Sequence, residues 1–169
     1  TDLSIVKKKF AGYVSTSPVI VCTDEKLSET AESAAKLISE KFGSFPSIGQ
    51  AEENCIILIK DTGLKIRDWT LERNGTKTEI RAGSEKALLH AVENLVITAV
   101  QSGDKMSVPS SLAYSFPYTF SEVTVAGNPL SEYSFVLSEN NEIANGVYNV
   151  INGYLEVNYG YSLNVKYSS

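Results

Sequence analysis

The stretch from Asp68 to Val100, DWTLERNGTKTEIRAGSEKALLHAVENLVITAV, leaves few folds open to this chain. It reads as a hairpin, a Gly83-Ser84 break, and an amphipathic helix. Asn-Gly is the preferred pair for a two-residue hairpin turn, because both central residues take positive φ. A turn on Asn74-Gly75 sets Arg73 against Thr76, Glu72 against Lys77, Leu71 against Thr78 and Trp69 against Ile80. Trp69, Leu71 and Ile80 then share one face, and Glu72 pairs with Lys77 on the other. Ser84 suits the helix N-cap and Gly103 its stop. Leu88, Ala91, Val92, Leu95 and Ala99 form the buried stripe. The module carries packing, and nothing in it is an obvious catalyst.

The preceding residues fit the same architecture. Val19 to Cys22 is a short apolar strand. The helix that follows runs from about Glu29 to Phe42, with Ser28 as N-cap, Gly43 as stop, and Ala31, Ala34, Ala35, Ile38 and Phe42 facing inward. A weak strand falls near Ser47 to Gly49. Asn54 to Lys60 has consecutive apolar residues without alternation, which predicts a central strand buried on both faces. The sum is an α+β fold, a mixed sheet with single-striped helices packed on it.

Composition narrows the classes. At 169 residues and 43% hydrophobic, the chain can build one good core and a fragment of another. No apolar run approaches the roughly 20 residues that span a bilayer. The first residue is Thr and no secretory leader is present, so a processed or trimmed start is expected. A net charge of −5 argues against nucleic acid, which rewards clustered Lys and Arg. The single basic run, Lys7-Lys8-Lys9, suits a solvated edge strand. Two cysteines, Cys22 and Cys55, are too few for a closed zinc site and lack redox spacing. Buried free thiols and a single bridge both remain open.

After Ser110 the character changes. Eight of the nine tyrosines lie between Tyr114 and Tyr167, and charged residues thin out. An internal similarity divides the chain into residues 1–120 and a partial second copy over 121–169. Ala11 to Asp24 aligns without gaps to Ala126 to Glu139, and FGSFPSI at Phe42 parallels YGYSLNV at Tyr159. The second copy therefore predicts a strand at Ser134–Leu137, a helix from Ile143 to Asn158 with Ala144, Val147, Tyr148, Ile151 and Leu155 inward, and a strand from Ser162. A rival reading stays open. Leu155 to Tyr167 alternates apolar and polar residues, and Asn152-Gly153 would make a hairpin turn.

The pattern DWTLERNGTKTEIRAGS followed by KALLHAVENLV, with VIVCTDEKLSETAESAAKLISEKFG before it, resembles the accessory N-terminal domain of family-20 glycoside hydrolases, the β-hexosaminidases, and of related α-glucuronidases. The likeness runs from about Val19 to Pro117, where VPSSLAYSFPYTF resembles the segment leading out of such a domain. Lys86-Ala87 and His90-Ala91 depart from the family's Gly-like and Tyr-Gly positions. In that family the chemistry belongs to a separate β/α barrel with an adjacent Asp-Glu pair, so the resemblance implies no catalytic residue here. It implies a non-catalytic module of a secreted or surface multidomain bacterial protein, with neighbouring domains as partners.

The remaining candidates have plain structural readings. His90, the only histidine, sits in a packed helix without a nucleophile or orienting carboxylate. Ser15-Thr16-Ser17 and Ser84 lack the nucleophile elbow. Gly83-Ser84-Glu85-Lys86 lacks phosphate-loop spacing. Asp24-Glu25 and Glu52-Glu53 lack a calcium-loop pattern, so neither metal nor cofactor is expected. Asn74-Gly75-Thr76 is formally a glycosylation triplet that a turn explains. The tyrosines are the one binding candidate, with Tyr148, Tyr154, Tyr159 and Tyr161 nominated. Their flat amphipathic rings suit core packing, a protein interface, or stacking on a glycan.

Overall fold

The computed structural model of the chain describes residues 10–50 and 53–168, with side chains from Ser15 onward. Lys7-Lys8-Lys9 and Glu52 fall outside the described residues. The chain divides into two compact units, Thr1–Ser115 and Phe116–Ser169.

The first unit orders its elements as β1 (Phe10–Ser15), β2 (Val19–Cys22), α1 (Ser28–Phe42), β3 (Cys55–Lys60), β4 (Trp69–Asn74), β5 (Lys77–Ala82), α2 (Glu85–Thr98), β6 (Val100–Ser102), β7 (Lys105–Pro109) and β8 (Ser111–Tyr114). Five strands form a mixed sheet in the order β2-β3-β5-β4-β8, parallel from β2 through β5 and antiparallel beyond. An antiparallel sheet, β1-β7-β6, stands beside it. The fold is α+β.

The core forms from one face of the large sheet and the inner stripes of both helices. Ile20, Ile56, Leu58, Leu71 and Ile80 meet Ala34, Ile38, Leu88, Val92 and Leu95, with Met106 and Val108 from β7. Each such aliphatic side chain gains roughly 1.5–3 kcal/mol by leaving water. The opposite face differs from the expectation for β3. Ile57 and Ile59 are only half-buried, as are Val19 and Val21 on β2. On that face Cys55 is buried but lies outside the main cluster, because both helices pack on the other side.

The hairpin keeps its faces and changes its pairs. Leu71 lies opposite Ile80, Trp69 opposite Ala82, and Glu72 opposite Glu79. The loop residues are therefore Gly75 and Thr76, with Asn74 paired to Lys77. Positive φ occurs at Gly75 (64°), and Asn74 is not in that region. Glycine alone at the first central position marks a II′ turn in place of the expected I′. The slip moves each partner by two residues, so inward residues stay inward. The expected Glu72–Lys77 pair is lost. Arg81 serves Glu79 at 3.1 Å instead, an exposed pair worth little.

Two helix termini also differ from expectation. Asp24, not Ser28, caps the first helical segment, its Oδ1 accepting from the Lys26 amide at 3.0 Å. A 3-10 turn over Glu25–Leu27 then runs into α1, whose N-cap position is Leu27 with no side-chain bond, so Ser28 lies inside the helix. Burial of Leu27 holds this early turn on the core. Gly43 does end α1, at φ 75°. Ser84 caps α2 as expected. That helix ends at Thr98, and the chain passes through extended Ala99 straight into β6. Gly103 instead turns the β6–β7 hairpin at φ 64°. The weak strand near Ser47 reduces to one parallel bridge, Ile20 with Ile48.

The second unit holds a small hairpin, β9 (Thr124–Val125) with β10 (Asn128–Pro129), then β11 (Ser134–Leu137), α3 (Glu142–Tyr159) and β12 (Asn164–Tyr167). β11 and β12 pair in parallel, so α3 is a crossover. The helix reading of this segment stands and the hairpin at Asn152-Gly153 does not. Asn141 caps α3 through its side chain and Gly160 closes it at φ 73°. Asn152 is buried in mid-helix because its amide works as a staple. Its Nδ2 donates to Glu156 Oε1 and Ser162 Oγ, and its Oδ1 accepts from the Leu163 amide at 2.8 Å. Phe135 pairs with Val165 in the register that Ile20 and Ile48 hold in the first unit. The aligned starts diverge, since Ala11-Gly12 lies within β1 while Ala126-Gly127 forms a turn with both φ positive.

Candidate functional site

The four nominated tyrosines do not form one site. Tyr148 faces inward on α3, its hydroxyl donating to the Leu163 carbonyl at 2.7 Å and its ring set edge-on to Phe135. It is a packing residue. Tyr161 is half-buried in the turn after α3. Tyr154 and Tyr159 do come together at the C-terminal end of the helix, with centroids 6.3 Å apart. Phe120 joins them, stacked on Tyr159 at 4.7 Å and 19°.

The local chain explains the platform. In the run Phe116-Pro117-Tyr118-Thr119-Phe120 the aromatics alternate. The Phe120 amide donates to the Asn158 carbonyl at 3.1 Å, and the Thr119 hydroxyl to Asn158 Oδ1. These bonds lash the segment to the last turn of α3. Tyr118 lies over Gly160 so closely that a Cβ there would sit 2.5 Å from its ring. Phe120 and Tyr154 are exposed, and Tyr159 is half-buried between them. Phe120 was missed at the sequence level, although its place in the alternating run was the available signal.

A second aromatic group lies in the first unit. Trp69 Nε1 donates to His90 Nδ1 at 3.0 Å. Tyr114 stacks on Trp69 at 6.1 Å and meets His90 edge-on at 5.0 Å. The bond uses the Nδ1 lone pair, which fixes the Nε2–H tautomer of His90. A cavity of about 230 Å³ opens here between Leu64, Asp68, Trp69, Thr70, Tyr114 and Ser115. That lies below the roughly 300–1,000 Å³ of small-molecule sites. His90 thus acts as the acceptor that allows an indole to be buried.

The other polar motifs resolve into structure. A Cβ on Gly83 would lie 2.0 Å from the Lys65 carbonyl oxygen, so this glycine serves close backbone approach and not phosphate. Ser84 Oγ donates to the Ile66 carbonyl while accepting from the Ala87 amide. Thr16 donates to the Asp104 carbonyl and Ser17 to that of Phe45. Cys22 and Cys55 are free. Cys22 registers with Leu58 and Cys55 with Val19, three rungs apart and on opposite faces. Burial pushes the Cys22 thiol above its ordinary value. Among the described residues no three His, Cys, Asp or Glu side chains gather as a metal would need. No helix among them is long and apolar enough to cross a membrane.

These observations define a class: an α+β packing domain followed by a β-α-β unit with an exposed aromatic platform. No family model matches the chain, and no curated protein does. Its neighbours among solved structures are family-20 glycoside hydrolases. The GH20 exo-β-N-acetylglucosaminidase of Vibrio harveyi matches with TM-score 0.58 at 12% identity, over 90% of this chain and 23% of that one. The GH20 β-N-acetylhexosaminidase of Streptomyces coelicolor A3(2) matches with TM-score 0.52 at 12% identity, over 93% and 32%. The N-acetyl-β-hexosaminidase of Streptomyces plicatus matches with TM-score 0.53 at 14% identity, over 93% and 32%. At these identities the likeness is one of fold. The chain spans about a quarter to a third of the length of these enzymes.

Proposed function

We propose that this chain is a non-catalytic accessory module of a larger secreted or surface-attached carbohydrate-active protein, bracing the domains beside it. The observation that carries this reading is the asymmetry of the fold likeness, over 90% of this chain and only 23–32% of the enzymes. Residues 121–169 are then a strand-helix-strand unit that repeats the β2–α1 arrangement, as the shared Ile20–Ile48 and Phe135–Val165 register supports.

Purified chain is expected to show no turnover of aryl N-acetylglucosaminide, glucuronide or ester substrates. Hydrolysis that persists through repurification and disappears in His90→Ala overturns the reading. Truncation after Phe120 is expected to leave a cooperative urea transition, since the core of the first unit draws only on residues before Ser115. A non-cooperative melt of residues 1–120 counts against the division.

A second reading rests on the Phe120–Tyr159 stack beside exposed Tyr154, a surface on which a sugar ring can lie. Chitooligosaccharide titration followed by NMR is its test. Shifts at Tyr154 and Phe120 that Tyr154→Ala abolishes favour it, and unperturbed spectra at millimolar sugar reject it.

A further inference from the structure

The helix α3 carries two apolar faces, and the described residues of its own unit use one. Tyr148 and Asn152 turn toward Phe135 of β11 and the Leu163 backbone through the contacts described above, and Leu155 is half-buried on the same side. The other face runs Ile143, Val147, Val150, Tyr154, Val157, spaced four, three, four and three residues apart. All five are exposed, Ile143 at 83% and Val150 at 74%. That alternation is the 3.5-residue repeat by which one helix packs along another, narrower than the stripe that faces a sheet.

Two glycines point the same way. Gly146 and Gly153 lie seven residues apart inside α3, on the flank of this seam. Neither has positive φ, and a Cβ on either would meet nothing within 4 Å. Glycine is a poor helix former, and nothing among the described residues requires it at these places. On a helix surface its use is to let another backbone come close.

Charge selects the kind of helix. From Phe116 to Ser169 the chain has five acidic residues, Glu122, Glu132, Glu139, Glu142 and Glu156, against one base, Lys166. A second copy of α3 would bring acid to acid, whereas a helix with lysine or arginine beside its apolar stripe meets complementary charge. The sheet gives a source for it. β11 and β12 form a parallel pair that has no further strand among the described residues. Parallel strands occur in larger sheets whose successive strands arrive through crossover helices on the covered face.

We propose that the outward face of α3, from Ile143 to Val157, seats a basic amphipathic helix contributed by the adjoining part of the same larger protein. This rests on the accessory-module reading, and the two fail separately: hydrolysis by the chain defeats that reading, while the experiment below defeats this one alone.

A fluorescein-labelled amphipathic peptide of about three heptads, leucine and isoleucine on its seam and lysine on its flanks, is titrated into the full chain by anisotropy. It is expected to bind, and a version with glutamate for lysine to bind at least about tenfold more weakly. Val150→Lys is expected to weaken binding by about tenfold or more. Gly153→Leu is expected to weaken it similarly while raising the melting temperature of the chain, a pair of effects that general damage to the fold does not produce. Trp69 fluorescence reports that the first unit stays folded in each variant. Absence of binding, equal binding of both peptides, or binding unchanged by Val150→Lys overturns the proposal. A dimer in sedimentation that Val150→Lys dissolves also overturns it, giving the face to a second copy.

Discussion

Trp69→Ala is expected to lower the unfolding free energy by about 3–5 kcal/mol, the range for truncating a large aromatic in a packed core. Trp69 is 2% exposed on β4, flanked in register by Ala82 of β5 and Tyr114 of β8. The substitution removes the ring against Tyr114 and leaves His90 Nδ1 without its 3.0 Å donor. A domain of this size holds about 5–15 kcal/mol in total, so the variant stands near the edge of folding at 37 °C. Trp69→Phe keeps much of the packing and loses chiefly the hydrogen bond, so it is expected to cost about 1–2 kcal/mol less than the alanine. Urea melts by far-UV circular dichroism make the comparison, since the substitution removes the only tryptophan. A loss below about 1 kcal/mol for Trp69→Ala shows that this face does not anchor the core.

What could be read from the residues alone follows from how local each cause is. The inner stripes of α1 and α2 were legible because a 3.6-residue repeat of alanines and leucines has one physical solution. The strand Ser134–Leu137 and the helix after it were legible through the internal similarity. The hairpin faces were legible, yet its register was not. Asn74-Gly75 can stand at either central pair of a turn, and the choice of Gly75-Thr76 depends on pairing that β4 and β5 make with β8 and β3. The strands β6, β7 and β8 were not seen at all. They are short and each contains a serine; long-range pairing with β1 holds β7, pairing with β4 holds β8, and β6 is held by its hairpin with β7. On α3 the expected inward residues Val147 and Ile151 turned out exposed, because the helix has apolar residues nearly all round and buried Asn152 sets its rotation. The aromatic platform was half legible: composition marked Tyr154 and Tyr159 as candidates, whereas Phe120 joins them only through hydrogen bonds across 38 positions of sequence.

Gly83→Ala is the second large effect, expected to cost about 3 kcal/mol, the upper range for overpacking. The backbone at Gly83 has no positive φ, so an alanine finds its own conformation acceptable. The obstacle is steric. An added Cβ would stand 2.0 Å from the Lys65 oxygen, 2.5 Å from its carbonyl carbon and 2.8 Å from the Leu64 oxygen, all of them backbone atoms. Neither partner is free to give way. The loop from Asp61 to Asp68 is pinned to the end of β5 by the Asp61 amide on the Ala82 carbonyl, the Gly83 amide on the Asp68 carbonyl, and Ser84 Oγ on the Ile66 carbonyl at 2.6 Å. Moving the loop breaks those bonds and takes the Ile66 acceptor from the hydroxyl that caps α2. Staying put forces the strand end outward, away from Trp69, which pairs with Ala82 one residue before. Gly103→Ala supplies the contrast, since its φ of 64° sits in open space and the cost is conformational alone, about 1–2 kcal/mol. Thermal melts should separate them, with Gly83→Ala lowering the midpoint by on the order of 10 °C and Gly103→Ala by about a third to two thirds of that. Equal and small shifts would mean that the loop before Trp69 yields, and that glycine at position 83 is not what holds it against the sheet.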